Sequence, residues 1–207
     1  MAEPRPDDAD LTAYARIRNA ALDLFGERGV AATSIRDVAA AAGVSPGLVQ
    51  HHFGTKAALQ QAVNEFVAYD SASVVRDLPP ATDITQRGAV FGGRMAAVIR
   101  ERPKGMVYMA RLVSEGDPAG YEMFRALAKL GEEELRTLER DGVIDPGLDL
   151  EWFSIHVVVF NLGTLLFEPT ISRVMGEPLL TEQGIERFIA AANAMFTRSL
   201  TPTAHKR

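Results

Sequence analysis

The sequence predicts an all-α protein, and three observations support this prediction. Apolar residues recur at three- and four-residue intervals along most of the 207-residue chain, which is the spacing of one face of a helix. Sustained alternation of apolar and polar residues, typical of half-buried strands, is hard to find. The 17 glycines and 11 prolines punctuate the periodic segments, where helices end and turns form. These patterns predict about nine helices.

The first three helices are predicted to form a domain over residues 11–66. The first helix extends from Leu11 to Glu27. A second, short helix is predicted to be capped by Thr33 and to end at Gly43. The third, about residues 45–52, begins with Ser-Pro, a favoured pairing of an N-cap with a proline in the first turn.

A double proline marks the clearest break in the chain. Thr55 is predicted to cap a fourth helix that ends near Leu78, because residues before Pro79-Pro80 are pushed out of the helical region. The helices of the second domain are predicted to begin at cap or first-turn residues: Asp83, Pro103, Pro118, Asp149 and Thr181. The chain is thus divided into a first domain, a second helical domain and two flexible tails: residues 11–66, 67–200, and 1–10 with 201–207.

The second and third helices carry the spacing of a helix-turn-helix pair. Such a pair needs a small residue in its first helix and a turn residue that tolerates positive φ. Ala39 and Gly43 supply these, while Ile35 and Val49 are placed to close the core. The alternative on this pattern alone is an αα-hairpin without a role in DNA binding.

The run TSIRDVAAAAGVSPGLVQHHFGTKAAL, residues 33–59, resembles the DNA-binding region of the tetracycline-repressor (TetR) family. The preceding helix, with Leu24, Phe25 and Gly29, matches the first helix of that family, and the resemblance covers about residues 12–66. It implies a homodimeric, ligand-responsive transcriptional regulator, most often a repressor, whose partner is a palindromic operator in double-stranded DNA.

The resemblance also implies a set of DNA contacts on and around the third helix. Ser45 and the helix N-terminus would face a backbone phosphate. Gly47 would admit close approach of the duplex, and Gln50 could read adenine through its amide. The full set of expected contacts is Thr33, Ser34, Arg36, Ser45, Pro46, Gly47, Leu48, Gln50, His51, His52 and Lys56.

The sequence departs from the family pattern within the third helix. Family members commonly carry tyrosines at the positions of Gln50 and His52, and often a lysine or another polar residue at Pro46. His52 can still donate a hydrogen bond to a phosphate. Lys56 matches the family lysine that binds a phosphate, so part of the expected phosphate contact is retained.

The segment from Trp152 to Phe167 is apolar almost all round, so it must be covered on every side. A purely internal central helix would satisfy this requirement. The resemblance instead implies a four-helix dimer interface, formed here by residues 149–167 and 181–199 of each subunit. The expected interface residues are Trp152, Phe153, Val157, Phe160, Phe188, Ala192, Met195 and Phe196.

Family members bind their effectors inside the second domain, which implies a pocket there. Bulky or flexible apolar residues with a few polar anchors are the candidates, and they suggest a largely apolar effector. The candidate residues are Met95, Met106, Met109, Arg111, Phe124, His156, Phe160 and Asn161.

The net charge of the whole chain differs from that of the first predicted domain. A formal charge of −5, from 22 Lys and Arg against 27 Asp and Glu, at first argues against a nucleic-acid partner. Residues 11–66, however, are close to neutral, with these charged residues: Arg16, Arg18, Arg28, Arg36 and Lys56 against Asp23, Glu27, Asp37 and Glu65. The charge therefore does not exclude DNA; it indicates that recognition depends on helix placement more than on a general positive field.

Other classes of protein are disfavoured by missing motifs. The absence of cysteine excludes a disulfide scaffold and thiolate metal sites, and the N-terminus does not have the pattern of a signal peptide. We therefore expect a cytoplasmic protein without a membrane span. Enzymatic motifs are absent as well, and neither a metal nor a cofactor is expected. The alternative hypothesis is a helical, dimeric small-molecule-binding protein without sequence-specific DNA binding.

Overall fold

The computed structural model describes residues 13–76, 78 and 83–201, and these residues form ten α-helices and no strand. The all-α prediction is confirmed. The helices are α1 (Ala13–Arg28), α2 (Ile35–Ala42), α3 (Pro46–Phe53), α4 (Lys56–Ala72), α5 (Ile84–Glu101), α6 (Pro103–Ser114), α7 (Pro118–Arg140), α8 (Leu150–Leu166), α9 (Glu168–Met175) and α10 (Glu182–Leu200). The chain divides into two compact units, one ending at Val67 and the other starting at Ala68.

Two boundaries differ from the sequence prediction. The segment Glu168–Met175 forms the additional helix α9, because Pro169 lies in its first turn, where a missing N–H has no cost. Helix α4 ends at Ala72 and is followed by turns over residues 73–76, so the helix is shorter than predicted. The double proline lies outside the described residues, as do both predicted tails except Thr201.

The first unit contains buried side chains from each of α1 to α4. Val49 of α3 is fully buried, as the helix-turn-helix spacing predicts. Gly43 adopts the left-handed conformation with φ +65°, and the N–H of Val44 donates to the Ala39 carbonyl at 2.9 Å. The core of this unit includes Ile17, Ala21, Phe25, Val38, Ala39, Val49, Leu59 and Val63.

The predicted cap of α2 is wrong by one residue. Ser34 is the N-cap: its Oγ accepts from the Asp37 N–H at 3.1 Å, and the Asp37 carboxylate accepts from the Ser34 N–H at 2.9 Å. Thr33 is buried, and its hydroxyl donates to the Gly29 carbonyl at 2.9 Å. Thr33 therefore fastens the end of α1 to the start of α2 instead of capping α2.

The second unit packs α10 on α5, and α7 on both α6 and α8. Its core contains Ile84, Leu135, Leu138, Ile144, Leu150 and Leu200. No single described helix is long and apolar enough to cross a membrane; α8 and α9 together pass by length and composition, but they are bent by 74° at their junction.

We predict that Gly120→Ala destabilises the second unit. A Cβ at Gly120 of α7 would lie 2.5 Å from the carbonyl carbon of Leu112, a backbone atom that cannot rotate away. The overpacking should lower the free energy of unfolding by about 2 kcal/mol, measured by urea denaturation. Gly93→Ala is the matched control, because a Cβ there meets open space; that variant should gain up to about 1 kcal/mol from helix propensity. Equal stability of the two variants would refute the close packing.

Candidate nucleic-acid interface and internal cavity

Helix α3 has one buried face and one exposed face. Val49 and Phe53 are buried and hold the helix in the first unit. The opposite face and the leading turn are open to solvent, which leaves the polar side chains of α3 available to a partner. Its exposed residues are the N-cap Ser45 with Pro46, Gly47, Gln50, His51 and His52, whereas Leu48 is half-buried.

The N-terminus of α3 is well formed and unobstructed. Ser45 Oγ accepts from the Leu48 N–H at 3.2 Å, and Pro46 has no N–H to satisfy. The Gly47 amide has no acceptor within the helix, as expected for a first turn. A Cβ at Gly47 would meet only Ser45 Oγ, at 3.8 Å. This end of the helix therefore presents a hydroxyl, an amide and the positive end of the helix dipole to a partner.

His52 stands beside an aromatic residue that sequence reasoning missed. Tyr14 of α1 is stacked on Phe53 with ring centroids 4.5 Å apart, and it meets the His52 ring edge-on at 6.2 Å. Tyr14 is 40% exposed. Its position three residues before the buried Ile17, on the same face of α1, was the available signal. Tyr14 limits the orientations that His52 can adopt.

The remaining expected DNA contacts are divided by burial. Arg36 is exposed on α2, and Lys56 is half-buried at the start of α4. Ser34 is exposed, although its hydroxyl is engaged with Asp37. Thr33 is 1% exposed, so its hydroxyl is not presented to a phosphate. We therefore remove Thr33 from the expected set of contacts.

We predict that Asp37→Asn lowers the stability at neutral pH and makes the stability depend less on pH in the acid range. The Ser34 backbone and hydroxyl hydrogen bonds, aided by Arg28 at 3.2 Å, hold the pKa of Asp37 below its ordinary value. A lowered pKa in the folded state gives stability that is present above the unfolded value, about 3.9, and lost as pH falls through the lower folded value. The variant should unfold more readily at neutral pH and lose less on acidification, as followed by thermal melts from pH 7 to pH 2. Profiles of unchanged shape would contradict this role.

The second unit contains a partly open cavity of about 160 Å³. Helices α5, α6, α7, α8 and α10 line it, together with residues at and after the end of α4. Four of the expected pocket residues belong to the lining: Met95, Met106, Met109 and Asn161. The other four, Arg111, Phe124, His156 and Phe160, lie outside it.

Two of the outlying residues have other aromatic partners. His156 is exposed and lies beside Trp152, with ring centroids 5.5 Å apart. Phe160 is stacked with Phe188 at 5.6 Å and meets Phe196 edge-on at 5.3 Å, which joins α8 to α10. Phe160 is therefore committed to helix packing rather than to the cavity.

The residues expected at a dimer interface also divide into two groups. Phe153, Val157, Ala192 and Phe196 belong to the lining of the cavity. Trp152 and Met195 are 59% and 46% exposed, while Phe160 and Phe188 are half-buried. The exposed apolar surface of α8 continues from Trp152 to Val159 and to the neighbouring Phe167, each more than half exposed.

The described residues contain no group of three or more His, Asp or Glu side chains that could hold a metal ion. His51 and His52 are neighbours on α3, with ring centroids 5.5 Å apart.

Comparison with known proteins identifies the helix-turn-helix region. Residues 17–63 match the family model of bacterial regulatory proteins of the tetR family. The chain is 33% identical over 169 residues to the HTH-type transcriptional repressor Rv3405c of Mycobacterium tuberculosis, covering 81% of this chain and 79% of the repressor. It is 35% identical over 145 residues to the regulatory protein RaaS of the same species, covering 68% of this chain and 64% of RaaS, slightly less than two thirds of that protein.

Solved structures show the same fold. A tetR-family regulatory protein from Rhodococcus RHA1 superimposes with a TM-score of 0.72 at 18% identity, covering 93% of this chain and 99% of that one. The fatty acid degradation regulator FadR from Bacillus halodurans gives a TM-score of 0.72 at 14% identity, with 94% and 97% covered. The exposed helix-turn-helix face, the curated relatives and the shared fold lead to one conclusion: the chain belongs to the TetR family of helix-turn-helix transcriptional regulators.

Proposed function

We propose that this regulator is a homodimeric repressor that binds a palindromic operator through α3 and is released by a small, largely apolar effector. The exposed leading turn of α3 carries the proposal, because a buried Val49 fixes the helix while Gly47 and Gln50 stay open. Such a protein acts on DNA in the cytoplasm.

The proposed dimer uses the exposed apolar surface of α8 and α10. Trp152, Val159 and Met195 are about half exposed or more, and large exposed apolar side chains grouped on neighbouring helices mark association surfaces. A two-fold dimer would offer two copies of α3 to half-sites about 34 Å apart, one helical turn of DNA. The palindrome of the operator would then mirror the symmetry of the protein.

The proposed coupling from the cavity to DNA passes through α4. Ser71, near the C-terminal end of α4, lines the cavity, and its hydroxyl lies 3.8 Å from the sulfurs of Met106 and Met109. Asp70 beside it is paired with Arg102 at 2.7 Å. Because α4 begins at Lys56, an occupant that displaces the methionines would act on the helix that carries a DNA contact. Binding of the effector would then favour the conformation that misses the operator.

Titration of labelled DNA from upstream of the regulator's own gene tests the proposal. Fluorescence anisotropy should show saturable, sequence-selective binding whose affinity falls steeply as salt concentration rises. Absence of binding at low salt would refute it, and would favour the alternative of a helical dimeric small-molecule-binding protein.

We predict different consequences for two of the expected DNA contacts, Gln50 and Lys56. Gln50→Ala should change the ranking of operator variants, with a loss of about 1–3 kcal/mol confined to one base pair of each half-site. Lys56→Ala should weaken all DNA sequences about equally and lower the salt slope by about 1. Anisotropy titrations on a panel of single-base operator variants measure both effects. If the two variants behaved alike, the division between base reading and phosphate contact would be wrong.

A further inference from the structure

Among the residues that the structure describes, the lining of the cavity contains one pair of charged residues. Arg87 of α5 and Glu134 of α7 form a close ion pair, with 9% and 22% of their side chains exposed. The other described residues of the lining are uncharged, and most are aliphatic, aromatic or methionine side chains. The two charges neutralise each other, so this described part of the wall carries no net charge to attract an ionic occupant.

The ion pair also disfavours charged occupants energetically. A carboxylate that approached Arg87 would compete with Glu134 for the same guanidinium, so the net gain in attraction would be small. The carboxylate would lose its own hydration on entry, and no additional ion pair would offset that loss. An ammonium group meets the same obstacle at Glu134, whereas a neutral molecule leaves the pair intact.

Asn193 of α10 supplies a polar group suited to a neutral occupant. It lines the cavity and is half-buried, and within the described part of the chain its side-chain amide makes no hydrogen bond. Asn161, by comparison, already donates to the Val157 carbonyl at 2.8 Å. Gly92 of α5 makes room for the amide, because a Cβ there would lie 2.5 Å from Asn193 Nδ2. The amide offers one acceptor and two donors to a ligand.

We propose that the cavity selects an uncharged, mostly apolar molecule with one hydroxyl, carbonyl or amide group that hydrogen-bonds to Asn193. Because Arg87 and Glu134 neutralise each other, carboxylates and amines of the same chain length find no net charge to attract them. This selectivity rests on the proposed function only in identifying the occupant as the effector that releases DNA.

Three probes of equal chain length test the charge selectivity. Octanol, octanoate and octylammonium are titrated into the full-length protein without DNA, and binding is measured by calorimetry and by the shift in Tm. Octanol should bind at least about tenfold more tightly than either ion and raise the Tm most. Equal or tighter binding of octanoate or octylammonium would overturn the proposal.

Variants assign the selectivity to particular side chains. Glu134→Gln keeps the shape of the wall and removes the carboxylate that neutralises Arg87. The affinity of octanoate should then rise about tenfold, which removes most of the advantage of octanol. Glu133→Gln, an exposed neighbour on α7, is the matched control and should leave the preference unchanged. Asn193→Leu should weaken octanol binding about tenfold. An unchanged preference in Glu134→Gln, or undiminished octanol binding in Asn193→Leu, would overturn the assignment.

If Glu134→Gln does not fold, a second variant that removes both charges provides the test. The double change Arg87→Met with Glu134→Leu removes both charges and should still prefer octanol to octanoate, because the carboxylate then meets only apolar wall. A preference for octanoate in this variant would overturn the proposal.

Operator release is measured separately, so the two proposals fail separately. If octanol binds selectively but leaves the protein on its operator, the cavity inference stands and effector-driven release is refuted. If octanoate binds best and releases the protein, the selectivity is refuted and the proposed function stands.

Discussion

Replacing Gly47 with glutamate is expected to abolish operator binding while the protein stays folded. Gly47 is exposed in the leading turn of α3, and a side chain there meets only Ser45 Oγ at 3.8 Å. In the bound state the new carboxylate would stand where the duplex approaches, at the helix end that otherwise attracts phosphate. Operator affinity should fall at least about 100-fold through charge repulsion and steric exclusion, as measured by anisotropy.

The matched control for this change is Gly93→Glu. Gly93 is also an exposed helical glycine with open space around its Cβ, but it belongs to α5 of the second unit. The two variants alter the net charge equally, so any difference in DNA affinity reports the place of the charge. If Gly47→Glu bound DNA as well as Gly93→Glu, α3 would not be the DNA-reading helix.

Trp152→Glu should convert the proposed dimer into monomers and thereby remove operator binding. Trp152 is 59% exposed at the start of α8, which is unusual for the largest apolar side chain unless a partner covers it. A carboxylate in the proposed interface would be desolvated without a partner. Sedimentation velocity should show a monomer at micromolar concentration, and operator affinity should drop at least about 100-fold because one half-site contributes alone.

Tyr121→Glu is the corresponding control for the dimer. Tyr121 is 63% exposed on α7, so its substitution introduces the same charge on another surface of the second unit. This variant should remain dimeric and bind the operator like the unaltered protein. A dimeric Trp152→Glu protein with full DNA affinity would refute the proposed interface.

The helix-turn-helix was predictable because its determinants are local. Ala39, Gly43 and Val49 lie within eleven residues of each other, and each satisfies a steric requirement that the neighbouring turn imposes. Gly43 indeed adopts φ +65°, and Val49 is fully buried. The N-cap of α2 was predicted wrongly, because Thr33 and Ser34 are adjacent hydroxyl residues and either can cap a helix. The choice depends on Thr33, which is buried and bonded to the Gly29 carbonyl after α1.

The second unit was less predictable because apolar periodicity does not tell the inside of a domain from a covered outer face. Phe153 and Val157 of α8 were expected at a dimer interface, yet they line the cavity, while the adjacent Trp152 is exposed. The Arg87–Glu134 pair joins α5 to α7. An ion pair between residues so distant in sequence depends on how the helices pack, so it cannot be predicted from a local sequence pattern.

Footprinting of the DNA upstream of the regulator's own gene tests the central claim most directly. We predict two protected half-sites of inverted sequence on one face of the duplex, with centres about one helical turn, roughly 34 Å, apart. Protection should disappear with Gly47→Glu and persist with Gly93→Glu. Protection of a single unsymmetrical site, or protection that survives Gly47→Glu, would contradict a dimer that reads its operator with two copies of α3.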